Sequence, residues 1–371
     1  MRRQPLTLRV LLRRSLSVAA TIIGIVIVGF VVVHLAPGDP VVALAGEHGD
    51  ASYYAEMRTR FQLDAPLPAQ MLTYFAHVLR VIPDGGTAVL ALERGEVDWL
   101  FEVPGPERAR LRRDPHFRFV TTAMNPGGSN CITTFGFNLD RPLFRDVRVR
   151  RAIAHAIDKQ QLLERIAFGE GRVADAPISS RIAFAHATGL PIPAFDTVAA
   201  SRLLDAARVT RPLVLSFKAQ PGFAALGDLL RAQLRRVGID LRVQTLEQTV
   251  YGDVVFAKRD FDTSVASYCN GTDPEIGVRR MYVSSSIGPV AFSHMAGYRN
   301  AEVDSLFDRA SAELDAQKRG ALYRRIQEIA VRDQPYVWLL ESVSSRVHST
   351  RCSGFGPSAH FAATADCGGS R

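Results

Sequence analysis

Apolar positions along the chain change their period several times. From 71 to 80 they recur at helical spacing, with Met71, Leu72, Phe75, Val78 and Leu79 on one face, and the breaker cluster Pro83-Asp84-Gly85-Gly86 follows. Beyond it, helix and strand patterns alternate. "FRFVTTAM" and "CITTFGFNL" alternate and are β-branched, which predicts strands. Between Arg145 and Ala167, Val149, Ile153, Ala156 and Ile157 form a helical stripe that breaks at Asp158, a residue suited to cap a second helix, and Gly169 offers a stop. "PLVLSFKA", a stripe of Leu226, Leu230, Leu234 and Val237, and the alternating Ile239, Leu241 and Val243 make a strand, helix, strand unit. Joints that short predict a parallel pair with a right-handed crossover. Two further helices, about 301–314 and 316–332, and a last strand at "PYVWLLE" complete a mixed α/β pattern, and the Gly- and Ser-rich tail from Ser353 is expected to be loose.

One stretch fits no soluble domain. Leu16 to Ala36 runs for 21 residues without a formal charge, and at about 1.5 Å per residue it matches a hydrocarbon layer of about 30 Å. Arg2, Arg3, Arg9, Arg13 and Arg14 precede it with no acid among them, which places the N-terminus in the cytoplasm and the bulk of the chain outside. The run exceeds the apolar part of a cleaved signal and "HLAPGDP" is a poor cleavage site, so a retained transmembrane helix is expected. No later stretch is apolar enough to add a second span.

Charge and chemistry narrow the function. The net charge of +8 owes five of its charges to the membrane flank, and the remaining arginines are interspersed with acids, so no basic face for nucleic acid is visible. Cys131, Cys269, Cys352 and Cys367 lack C-x-x-C spacing and the nine histidines are scattered, which gives no metal site. Outside the cytoplasm two disulfides are permitted; four isolated buried thiols are the alternative. No P-loop, nucleophile elbow, zinc-protease helix or dinucleotide fingerprint occurs, so neither an enzyme nor a cofactor is expected. Arg148, Arg150 and Arg151 are expected on the solvated face of their helix, opposite Val149 and Ile153.

Two resemblances cover most of the chain. Residues from about 8 to 80, with "VVVHLAPGDPVVALAG" and "MRTRFQLDAPLPAQMLTYFAHVLR", resemble the opening of a dipeptide/oligopeptide ABC transporter permease. Residues 81 to about 355 resemble an extracytoplasmic solute-binding protein of family 5, the peptide- and nickel-binding class, through "LERGEVDWL", "FGFNLDRPLFRDVRVRRAIAHAIDKQQLL", "AQLRRVGIDLRVQ", "KRDFDTSVASYCNGTDPEIGVRRMY" and "LYRRIQEIAVRDQPYVWL". The pair implies a fused, membrane-tethered chain with an incomplete two-lobed periplasmic-binding-protein-like fold: 1–36 flank and spanning helix, 37–80 permease-like segment, 81–140 partial first lobe and hinge, 141–335 second lobe, 336–355 return to the first lobe, 356–371 tail. It implies capture of a small peptide or similar solute outside the cytoplasm and delivery to separate permease and ATPase subunits. The alternative is a remnant or interaction module that captures nothing.

The resemblance also points to residues. It puts ligand groups at the hinge words, here Phe137 and Asn138 in the first and Tyr268, Asn270 and Asp273 in the second. Peptide-binding relatives carry an acid for the ligand amine a few residues after the second aromatic. Here Asn270 and Gly271 stand in that place and Asp273 comes later, where Asp273-Pro274 also has the pattern of a turn. Tyr268 is expected either to stack on ligand or to pack in the core. The same resemblance implies a disulfide between Cys131 and Cys269, leaving Cys352 with Cys367.

Overall fold

The computed structural model describes residues 85–100, 103–122, 130–290 and 292–355, together with Pro66 and Cys367. The basic flank, the span at Leu16–Ala36, the permease-like segment and most of the tail lie outside the described residues. Among the described residues no helix is long and apolar enough to cross a membrane. Except for Pro66, they fall in one compact unit, Gly85–Arg371.

In chain order the elements are α1 (Gly85–Glu93), β1 (Trp99–Leu100), α2 (Gly105–Leu111), β2 (Phe117–Thr122), β3 (Asn130–Phe137), α3 (Val147–Ala156), α4 (Lys159–Arg165), β4 (Arg172–Val173), α5 (Thr197–Ala206), β5 (Leu213–Ala219), α6 (Ala224–Arg235), β6 (Ile239–Thr245), α7 (Gln248–Gly252), β7 (Thr263–Asn270), α8 (Arg279–Tyr282), α9 (Ala301–Ala312), α10 (Ala316–Asp333), β8 (Tyr336–Glu341) and β9 (Ser344–Ser349). They form a three-stranded sheet in the order β1-β9-β2 and a six-stranded sheet in the order β4-β8-β3-β7-β5-β6. The crossover unit is present: β5 and β6 pair in parallel, Leu213 opposite Ile239, with α6 between them in sequence.

Both faces of the large sheet are covered. Along β8, Tyr336 and Trp338 enter one core with Tyr268 of β7, Phe307 of α9 and Ile326 of α10. Val337 and Leu339 enter a second core with Val149, Ile153, Leu226 and Leu230 from α3 and α6. Every residue of β3 and β8 is therefore buried, and strands covered on both sides lose the polar alternation that marks a half-exposed strand.

Asn130–Phe137 and Tyr336–Glu341, read from the sequence as hinge and return segments, are inner strands of the six-stranded sheet. The sheets divide between Thr122 and Asn130 and again between Glu341 and Ser344.

Helix starts follow cap chemistry. Asp146, Asp158, Asp196, Asn300 and Asp315 each accept backbone N–H groups at the start of α3, α4, α5, α9 and α10. At the other end of α10 the arginine expectation fails in part. Arg150 is buried, only 7% exposed, where a solvated side chain was expected. Its Nε donates to the carbonyl of Gln334 at 3.0 Å, and its other nitrogens reach the carbonyls of Phe144, Arg145 and Asp333. Arg151 donates to the Arg332 carbonyl at 2.8 Å. The last carbonyls of α10 have no partner within the helix and carry its negative dipole end, so two guanidiniums from α3 satisfy both. Burial pulls the Arg150 pKa down to about 10, still far above neutrality.

His294 is a second buried polar anchor. Its Nδ1 lies 2.9 Å from the Val283 carbonyl and its Nε2 accepts the Tyr298 N–H at 3.0 Å, which requires a neutral ring. Burial, aided by the nearby Arg259 and Arg299, lowers its pKa to about 4. The unfolded ring, near 6.5, binds its proton first, so this contribution is complete above pH 6.5 and fades as pH falls towards 4. Urea titrations at pH 7 and pH 5 should differ by about 2 kcal/mol on this account, and His294→Gln should reduce the difference.

Candidate functional site

The site is built at one end of the β3/β7 ladder. The strands are antiparallel, with Cys131 opposite Cys269 and Asn130 opposite Asn270. Cys131 and Cys269 are joined by a disulfide, as are Cys352 and Cys367. Side chains alternate across a sheet, so the two asparagines point to the face away from the bridge.

After Asn270 the chain turns tightly. The Gly271 N–H donates to the Ile276 carbonyl at 2.8 Å, and Asp273 Oδ1 accepts the Glu275 N–H at 2.9 Å. Gly277 has a φ of 108°, and a Cβ there would lie 2.5 Å from Asn270 Oδ1, so both conformation and space demand glycine. Asn130 Nδ2 reaches the Gly271 carbonyl at 3.4 Å. The side-chain oxygens of Asn130 and Asn270 are buried and have no hydrogen-bond partner among the described residues.

Asp273 is held from the helical layer. Arg319 Nη2 donates to its Oδ1 at 2.8 Å and Arg319 Nη1 lies 2.8 Å from its Oδ2. Arg319 is itself fixed by the Ala310 carbonyl at 3.0 Å and the Tyr323 hydroxyl at 3.2 Å. Glu275 pairs with Arg279 at 3.3 Å, and Arg279 pairs with Asp308 at 2.6 Å. Burial pushes the Glu275 carboxyl above its usual range.

Of the residues expected from the sequence, Asn270 and Asp273 share this turn, and Tyr268 precedes it. Tyr268 is 1% exposed and sits edge-on to the Tyr336 ring, inside the core. Asn138 is elsewhere. It follows the opposite end of β3, where Phe137 pairs with Thr263, about eight residues or roughly 26 Å along the strand from Asn130. Its Nδ2 donates to the Arg259 and Phe261 carbonyls at 2.9 and 3.0 Å, and its Oδ1 accepts from the Asp140 N–H and Arg259 Nη2 at 3.2 and 3.1 Å. Asn138 thus ties strand to turn, and antiparallel register separates it from Asn270. That same register identifies Asn130, which the sequence reading overlooked: once Cys131 faces Cys269, the residue before the first faces the residue after the second.

A second polar cluster joins the two sheets. Glu170, in the turn between α4 and β4, accepts from Arg108 of α2 and from Arg112, the residue that caps that helix, at 2.8 and 2.7 Å and from the Ser345 hydroxyl of β9 at 2.7 Å. Burial raises its carboxyl pKa, but the Ser345 and arginine contacts outweigh that and hold it low. A cavity of about 590 Å³ opens beside it, lined by Pro106, Arg108, Ala109, Glu164 and Phe168 among others. Asp98 lies within 4.8 Å of the Cys352 and Cys367 sulfurs, but those are bonded to each other, and Asp98 accepts from Arg351 Nε at 2.7 Å. That group is not a free ligand set for a metal.

Residues 76–289, more than half of the chain, match the family model for the middle region of bacterial extracellular solute-binding proteins, family 5. The chain belongs to this family. Residues 7–84 match a second model, the N-terminal part of a binding-protein-dependent transport system membrane component. Heme-binding protein A of Haemophilus influenzae is 24% identical over 287 residues, covering 75% of this chain and 50% of the relative. Oligopeptide-binding protein AppA of Bacillus subtilis is 24% identical over 278 residues, covering 70% of this chain and 49% of the relative. Among solved structures, the periplasmic binding protein DppA of Helicobacter pylori in complex with the peptide STSA superposes with a TM-score of 0.69 at 22% identity, covering 77% of this chain and 55% of that one. The dipeptide binding protein of Pseudoalteromonas sp. SM9913 in complex with Met-Leu gives 0.68 at 20% identity, covering 77% and 57%. These likenesses establish the fold, and the chain spans about half the length of the curated relatives it matches. In this family 5 protein the Asn130–Asn270 end of the ladder and the Glu170 cluster are both built at the borders between the two sheets, where strands β3 and β8 leave the larger one.

Proposed function

We propose that this chain captures a small peptide or similar solute outside the cytoplasm for an ABC uptake system and hands it to separate permease and ATPase subunits, without covalent chemistry. The bulk of the chain would be held at the membrane by the helix at Leu16–Ala36. The family match over residues 76–289 carries this reading. Relatives named for oligopeptide and heme binding, and solved neighbours in complex with a peptide, a dipeptide and nickel-histidine, support the solute class.

Ligand-dependent stability tests it. A solute that binds only the folded chain raises the melting temperature by mass action, with about 2.7 kcal/mol gained at one hundred times Kd. A panel of di- to nonapeptides, haem and nickel-histidine should contain at least one member that produces such a shift in the full chain. A flat panel at millimolar concentration would favour the second reading, an interaction module that captures nothing. One observation favours that reading: the smaller sheet has three strands, and β2 is paired on one side alone among the described residues.

A further inference from the structure

We propose that the cavity between α2 and the α4–β4 turn takes a solute end in which a carboxylate stands beside an apolar side chain, as at the C-terminal residue of a short peptide. This rests on the solute-capture reading above and names the solute class for that cavity. Its volume of about 590 Å³ lies within the range of pockets that hold small ligands.

Charge sets one half of the selection. The cavity wall carries Arg108, Arg112, Glu164 and Glu170. Glu170 stands between the two guanidiniums, at 2.8 and 2.7 Å, and its Oε2 also accepts from the Ser345 hydroxyl at 2.7 Å. One carboxylate against two guanidiniums leaves an excess positive charge at this corner, and a solute carboxylate would make the set two against two. The Arg108 and Glu170 side chains are 17% and 15% exposed, so water screens that excess little, while Arg112, 42% exposed, is within reach of a solute. Glu164 is exposed on the rim, where solvent screens its opposing charge and its Oε1 accepts from Gln160 at 3.0 Å. Both arginines are held before a solute arrives: Arg108 Nε donates to the Val103 carbonyl at 2.8 Å, and the Arg112 guanidinium lies 4.4 Å from the centre of the Phe119 ring.

Phe168 sets the other half. Its φ of 54° is in the left-handed region, which is strained for a bulky side chain, and its ring is 48% exposed. The ring lies so close to the start of α2 that a Cβ on Gly105 would come within 2.0 Å of Phe168 Cε2, so glycine is needed there for the ring to keep this place. The ring thus leaves apolar surface towards the cavity, with Pro106 and Ala109 also in its lining. An apolar side chain laid against that surface leaves water and covers the ring at the same time.

Calorimetric titration of the full chain decides it, with a tetrapeptide ending in leucine as the free acid, the same peptide as its C-terminal amide, and a free acid ending in glycine. The leucine acid should bind at least about fivefold tighter than either of the other two. In Phe168→Ala its advantage over the glycine acid should fall by about half or more, while its advantage over the amide stays. Ala109→Trp changes an exposed position and fills the cavity, so it should melt with the parent and bind every peptide at least about tenfold more weakly. A leucine acid within about fivefold of its amide or of the glycine acid overturns the inference, and so does an advantage over glycine that Phe168→Ala leaves whole. Parent-like binding by Ala109→Trp overturns it as well, because the solute would then sit elsewhere. Each of these results leaves solute capture standing, as does binding of haem or nickel-histidine but of none of the peptides, which also overturns the inference. If no member of the panel binds, solute capture itself fails, and the selection proposed here falls with it.

Discussion

Replacing Cys131 and Cys269 by alanine should lower the unfolding free energy by about 2–5 kcal/mol. The bridge closes a segment with a sequence separation of 138, so without it the unfolded chain regains the freedom of a very long loop. In the folded chain the two residues face each other on neighbouring strands, so the loss acts mainly through the unfolded ensemble. Urea denaturation of the parent and the double variant, and of the parent with and without reductant, measures it. The reduced parent, which also loses the Cys352–Cys367 bridge, should have a midpoint at or below that of the double variant. A midpoint unmoved by either treatment would show that the bridge contributes nothing. An oxidising compartment is the setting in which such a bridge persists, which agrees with the solute-capture reading.

Trp338→Ala should cost about 3–5 kcal/mol. The indole is fully buried in β8 and its Nε1 donates to the Tyr282 hydroxyl at 2.9 Å. Tyr282 in turn stacks on Phe307 and meets Tyr336 edge-on, so truncation opens a cavity inside an aromatic cluster and leaves a buried hydroxyl without its donor. Trp338→Phe keeps most of the volume and should cost less than half as much. The test is the urea midpoint at constant slope, since a changed slope would signal loss of two-state behaviour. A Trp338→Ala midpoint within error of the parent would refute the packing account.

The strongest periodic signals were legible in the sequence. The strand, helix, strand unit at Leu213–Thr245 and the paired helices at Ala301–Asp333 appear where spacing places them, and Asp158 caps α4. What failed has a physical cause in each case. The place of β3 and β8 inside the larger sheet was not legible, because long-range pairing leaves no local pattern. β9, although it pairs with both β1 and β2, escaped because Ser344–Ser349 is too polar to suggest a strand. Arg150 looked solvated because helical spacing shows which face a residue is on, and not that the carbonyl end of another helix lies against that face. At the candidate site, sequence order grouped Asn138 with Asn270, whereas antiparallel register exchanged Asn138 for Asn130.

Glu170 is gripped from α2 and from β9 at the same time, on two segments far apart in the chain. Moving β9 and α2 away from this corner would have to lengthen all three of those short contacts together, so one carboxylate resists displacement of both segments at once.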